Sequence, residues 1–187
     1  LLNGARLKVP LRWTLHLCAP ALAAAYALGR VGCFIVNDDY GHPTTLPWGV
    51  KFPQGLPPTT AFNMKQQFGI PIPPGMDPST VLAVHPTQLY EVVLMLGVFA
   101  VLWRLRTRNH AIGWLFGIYL LLAGTERFLI EFVRAKDDRI FGALTIAQVF
   151  SILLILAGIG VVARLRTGPP LDPGPYLTHQ GEAAAAA

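Results

Sequence analysis

Three short stretches hold residue types that can do chemistry. Arg30 stands in GRVGCFIVNDDYG, flanked by glycines near the far end of an apolar block, with Asp38 and Asp39 close behind. A guanidinium placed there can grip a phosphate through paired hydrogen bonds, or it can simply reach the lipid headgroups as an anchor. HPTQLYE, His85 to Glu91, opens a second apolar block and offers an imidazole that titrates near neutral pH, with Gln88 and Glu91 on one helical face below it. The alternative there is an ordinary helix start with an interfacial tyrosine, Tyr90. Glu91 fits that alternative poorly, because a carboxylate inside an apolar span is costly to insert. In ERFLIEFVR, Arg127, Glu131 and Arg134 recur at i, i+4 and i+7 and share one helical face. They read either as a salt-bridge ladder between helices or as a site with surplus positive charge, suited to an anionic ligand.

Such residues need a frame, and the composition indicates what kind. Of the 187 residues 53% are hydrophobic and only 13% charged, against about 25% charged in a soluble domain. A helix needs about 20 apolar residues to cross a bilayer, and four blocks come near or exceed that length. The expected fold is therefore all-α: a polytopic membrane protein with spans at about 15–36, 87–103, 112–133 and 140–163. Pro86 suits the start of the second helix. Gly113, Gly117 and Gly124 favour close packing of the third. A long proline-dense loop, 38–84, joins the first two spans, and loops of that length usually have a function. The tail, 168–187, rich in Pro, Gly and Ala, is expected to be disordered.

Positive charge sets the expected orientation. Arg6, Lys8 and Arg12, then Arg104, Arg106 and Arg108, then Arg164 and Arg166 fall on one side of a four-span arrangement, without acids among them, so that side is expected to be cytoplasmic. The 38–84 loop and the link RAKDDR then face outward. The net charge of +5 is spent on these topology clusters rather than on a nucleic-acid face. Cys18 and Cys33 are too few and too far apart for a metal cluster and are expected to be buried, inert thiols. No motif indicates a metal or an organic cofactor. LLNGARLKVPLR is basic with no cleavage pattern after it, so no cleavable leader is expected, and the missing initiator Met suggests a portion of a longer chain.

GRVGCFIVNDDYG, HPTQLYE and RFLIEFVR, in this order and each beside a span, resemble the motifs of the prolipoprotein diacylglyceryl transferases, over roughly Arg12 to Ala163. The resemblance implies a bacterial inner-membrane enzyme with its active face outward. Such an enzyme moves the diacylglyceryl group of phosphatidylglycerol onto the lipobox cysteine in the signal peptide of a prolipoprotein, leaving a thioether and glycerol phosphate. The family's lipid-binding arginine falls on Arg30, its acid in the same motif on Asp38, its closing glycine on Gly41 and its second essential arginine on Arg127. Together with Cys33, Gln88, Tyr90, Glu91, Glu131 and Arg134, these are the expected substrate contacts. The chain departs from the family at Asn37 and Cys33, where Gly and Asn are common, at His42 for Arg, and at Ala123 for Tyr. The resemblance also implies upstream spans with a His-Gly-Gly segment that these 187 residues do not contain, so they are expected to match the carboxy-terminal portion.

Arg30 and Arg127 would then hold the leaving phosphate, and His85 is the candidate acceptor for the thiol proton. Two other functions use the same residues. One is a transporter or channel with Glu91, Arg127, Glu131 and Arg134 along its path; the other is a remnant that binds phospholipid without turnover.

Overall fold

The computed structural model describes residues 10–108, 110–136 and 144–166. The expected tail at 168–187, Arg6 and Lys8, the DDR part of RAKDDR and the first residues of the fourth expected span lie outside them. Among the described residues there are five helices and one pair of short strands: α1 (Leu11–Ile35), β1 (Val50–Lys51), α2 (Ala61–Phe68), β2 (Ala83–Val84), α3 (Thr87–Leu105), α4 (Trp114–Ile130) and α5 (Ile146–Leu165).

Three of these, α1, α3 and α5, are long and apolar enough to cross a membrane. With 17 residues, α4 falls short of that by length, although it is as apolar as the others apart from Glu126 and Arg127 near its end. It stops at Ile130, where 112–133 was expected, and α5 begins at Ile146 rather than near 140. The start of α5 follows from local chemistry: Thr145 accepts a hydrogen bond from the Gln148 backbone N–H while the Gln148 side chain accepts from the Thr145 N–H, a reciprocal cap.

The helices pack through small residues, as they must where lipid offers no hydrophobic drive to association. Ala19, Ala23 and Ala27 line one face of α1 and meet Met95 and Leu102 of α3 and Leu115 of α4, all buried. The α4–α5 contact is tighter and the most extensive in the molecule. A Cβ on Gly158 would lie 2.7 Å from the Leu121 nitrogen and 2.8 Å from the Gly117 carbonyl oxygen, so only glycine lets the two backbones come so close. Gly113 plays a different part from the expected packing role: it caps α4 at φ +94°. Cys18, expected to be buried, is exposed on α1, and Cys33 is half-buried.

The segment expected as a proline-dense loop folds into a small ordered unit. Its core is Tyr40, Phe52, Met64 and Val84, and each such side chain removed from water contributes about 1.5–3 kcal/mol. β1 and β2 pair antiparallel, Val50 opposite Val84 and Lys51 opposite Ala83, so the fold is mostly rather than purely helical. Helix α2 is capped by Thr60, whose hydroxyl accepts from the Asn63 N–H, and ends on Gly69 at φ +62°.

One end of the bundle gathers Arg12, Ile112 and Arg164 around a common recess. The loop unit and the ends of α1, α3 and α4 meet at the other. There the Gly41 N–H donates to the His85 carbonyl (2.8 Å), the His85 N–H to His42 (3.0 Å), the His42 N–H to Val133 (2.9 Å) and the Ala135 N–H to Tyr40 (3.3 Å). Three chain segments are thereby tied into one junction.

Candidate functional site

The junction places a closed ring of six charged side chains. Asp39 bridges Arg30 (2.9 Å to Nη1) and Arg134; Glu91 bridges Arg30 and Arg127 (3.6 Å); Glu131 bridges Arg127 (2.8 Å) and Arg134 (3.5 Å). Each arginine touches two carboxylates and each carboxylate two arginines. Each member comes from an end of α1, α3 or α4 or from the turn that follows it. Arg127 and Glu131 sit one helical turn apart, as their spacing predicted, and Glu91 supplies the link from α3 to both α1 and α4.

Three charges of each sign make the ring formally neutral. The surplus of positive charge expected from the third motif alone is cancelled by Glu91 and by Asp39, which are delivered from other elements. The side chains of Glu91 and Glu131 are each 1% exposed, whereas that of Asp39 is 37% exposed. Carboxylates buried so deeply persist only because they are paired. Among the described residues, Arg30 Nη2 is buried with neither a hydrogen-bond acceptor nor an ion-pair partner, and Arg127 Nη1 reaches Glu91 only at ion-pair distance, so the ring's donors are not all used.

Asp39, missed by sequence reasoning, is the acid of the first motif that pairs with Arg30, alongside Glu91. Asp38 instead accepts the Asp39 backbone N–H (2.7 Å). The cause is the turn after α1: both Asn37 (φ +59°) and Asp39 (φ +61°) adopt the left-handed conformation, which Asn and Asp tolerate better than most residues. This turn is pinned from α3, where the Thr87 hydroxyl donates to the Asp39 carbonyl (2.7 Å) and the Gln88 amide to the Asp38 carbonyl. Gln88 is fully buried and holds backbone, not an open pocket. Burial by itself raises the Asp39 pKa, but the Arg30 hydrogen bond and the Arg134 charge outweigh it and hold the carboxyl below the usual aspartate range. Burial, helped by the Asp38 charge, pushes the Tyr40 phenol up to about 12, and Tyr40 donates to the Pro57 carbonyl as a neutral group.

The remaining expected residues are also accounted for. Cys33 accepts a hydrogen bond from Arg30 Nη1 (3.3 Å). Gly41 allows the junction to close: a Cβ there would lie 2.5 Å from the Val133 carbonyl oxygen, 2.8 Å from Thr87 and 2.9 Å from His85. His85 is half-buried beside the ring's loop and makes no ion pair in it. Its Nδ1 lies 3.1 Å from the Tyr90 hydroxyl, which in turn receives the Trp48 indole N–H at 2.8 Å. An indole N–H only donates, so the Tyr90 oxygen accepts there, which leaves its own proton free to be donated to His85 Nδ1 in the tautomer that carries its proton on Nε2. Tyr90 also borders an apolar recess formed with Val93, Leu94, Leu129 and Ile130, open between α3 and α4.

Fold and site together define a helical membrane protein with a balanced ion-pair ring at the junction of three helix ends and a small unit of two short strands and one short helix. The chain belongs to the prolipoprotein diacylglyceryl transferase family, whose sequence model matches residues 1–164. It is 36% identical over 160 residues to a phosphatidylglycerol–prolipoprotein diacylglyceryl transferase of Xanthomonas oryzae pv. oryzae (strain PXO99A), covering 83% of this chain and 53% of the relative. It is 32% identical over 174 residues to the protein of that name from Stenotrophomonas maltophilia (strain R551-3), covering 91% and 58%, and 35% identical over 159 residues to that of Chlorobaculum tepidum, covering 83% and 47%. The chain spans about half the length of the curated relatives it matches.

Proposed function

We propose that this chain carries the headgroup site of a phosphatidylglycerol–prolipoprotein diacylglyceryl transferase. It lies in a bacterial inner membrane as four spans, with α4 as the short third one, and the ring and the 38–84 unit face outward. The arginine-rich end then faces the cytoplasm, in keeping with the positive-inside rule. One observation carries the reading: Arg30 and Arg127 share the single carboxylate of Glu91, so two guanidinium groups from different helices are held within reach of one anion.

In this reading the cysteine thiol of the lipobox gives up its proton and its sulfur attacks the terminal glyceryl carbon. An S–C bond forms, the C–O bond to phosphorus breaks, and glycerol phosphate leaves with the bonding electrons. Arg30 and Arg127 stabilise the charge that grows on the departing phosphate, with donors positioned before the reaction starts. The proton passes to His85 through Tyr90: the phenol takes the thiol proton as its own moves to Nδ1, consistent with the Trp48–Tyr90–His85 chain. The apolar recess beside Tyr90 suits an acyl chain, while Cys33, Asp38, Gly41 and Gln88 shape the turn that orients Arg30.

The test is transfer of labelled diacylglyceryl from phosphatidylglycerol to a lipobox peptide by the 187-residue protein in lipid nanodiscs. A labelled thioether with release of glycerol phosphate is the expected result. Lipid binding without transfer would replace the enzyme by a phospholipid-binding remnant. Ion or anion flux in vesicles with neither binding nor transfer would replace it by a transporter.

A further inference from the structure

We propose that Asp39 is an exchangeable counter-anion: it occupies the place of a phosphate between Arg30 and Arg134 and swings out when an anionic headgroup enters. The inference rests on the lipid-headgroup reading for the identity of the ligand and seats its phosphate first on Arg30 and Arg134, with Arg30 common to this pair and to the Arg30–Arg127 pair of that reading; the chemistry is that of any phosphate mono- or diester.

The first support is charge. The ring holds Arg30, Arg127 and Arg134 against Asp39, Glu91 and Glu131, and is already neutral. A phosphodiester added to it would bring a fourth negative charge beside two enclosed carboxylates, and like charges in so little water strongly disfavour one another. One acid must therefore give way. Glu91 and Glu131, 1% exposed, have nowhere to go, and removing either would strand buried guanidinium groups. Asp39, at 37%, is the ring carboxylate that reaches water.

Shape is the second support. Asp39 offers one carboxylate oxygen to Arg30 and the other to Arg134, which is how two non-bridging phosphate oxygens would meet the same pair. The exchange also requires little movement. Thr87 and Gln88 clamp the backbone carbonyls of Asp39 and Asp38, so the short side chain can rotate while the turn stays in place. The unused donor at Arg30 Nη2 gives an incoming phosphate a hydrogen bond that Asp39 does not supply. The left-handed backbone at Asp39 fits the same picture, since strained non-glycine residues gather where a site has two states.

Asp39→Asn keeps the size and removes the charge. In nanodiscs of phosphatidylcholine doped with phosphatidylglycerol, the variant is expected to bind phosphatidylglycerol about tenfold more tightly than wild type, the low end for a close charge pair, with a steeper loss of affinity as salt rises. A residue that merely braces the arginines would give the opposite sign, so unchanged or weaker binding overturns the proposal. Carbodiimide labelling of Asp39 in the wild-type protein, read by mass spectrometry, gives a second measure independent of the variant's folding. Reactivity is expected to rise when phosphatidylglycerol is added and to stay level with phosphatidylcholine alone; no rise while phosphatidylglycerol binds overturns the exchange. An arm with soluble glycerol phosphate separates the two sources of phosphate. If wild type binds glycerol phosphate but not the lipid, and Asp39→Asn still tightens that binding, the exchange stands and the lipid reading falls; binding of neither anion overturns both.

Discussion

The two ends of the bundle are both rich in arginine and put it to opposite uses. At one end Arg12, Arg104, Arg106, Arg164 and Arg166 make no ion pair among the described residues, and Arg106 lies over the Trp103 ring at 3.6 Å. At the other, Arg30, Arg127 and Arg134 are each enclosed by two carboxylates. The residue type is the same, so the difference lies in the acids. Without them an arginine is a flexible anchor that sets topology; with them its guanidinium is fixed in orientation and depth before any ligand arrives.

Four substitutions probe that contrast, beginning with the one expected to do most. Glu91→Ala leaves two buried guanidinium groups short of a partner, and should destabilise the protein by about 3–5 kcal/mol; a thermal or denaturant midpoint in detergent that matches wild type would mean that the ring does not hold the helices. Arg30→Ala should lower the rate of diacylglyceryl transfer about 10²–10³-fold, as expected for loss of one preorganised donor. Wild-type turnover by this variant would refute the phosphate clamp. Gly41→Ala forces a methyl against the Val133 carbonyl and should cost about 1–3 kcal/mol of stability, together with faster amide exchange at His42 and Ala135. At the opposite end, Arg106→Ala should change stability by less than about 1 kcal/mol, and a larger effect would erase the distinction between the two ends.

Much of the helical frame was legible because apolar length and charge position are local properties. Arg30, Glu91, Arg127, Glu131 and Arg134 could be singled out one by one, since each is a charge in an apolar setting, and the i, i+4 pairing of Arg127 with Glu131 follows from helical spacing alone. The closure of the ring was not legible. It needs Asp39 rather than Asp38, and that choice is made by two left-handed residues and by clamps from Thr87 and Gln88, which lie 48 and 50 positions away. For the same reason the third motif looked positively charged when read alone. The 38–84 segment was read as loop because its prolines mask a core assembled from distant residues, Tyr40, Phe52, Met64 and Val84, with no periodic pattern. The later start of α5 was within reach: Thr145 followed by Gln148 at the third position is a helix-start signature that the count of apolar residues overrode.

The sequence order of the ring bears on how such a chain enters a bilayer. Arg30 comes first on α1, then Asp39 in the following turn, then Glu91 on α3, and only afterwards Arg127 in the last turn of α4 with Glu131 and Arg134 in the turn that follows. A ribosome delivering the chain from its amino end would therefore have both signs of charge waiting before the last three members of the ring emerge. These late charges would find their neutralising partners already in place, so that synthesis itself serves as the assembly programme.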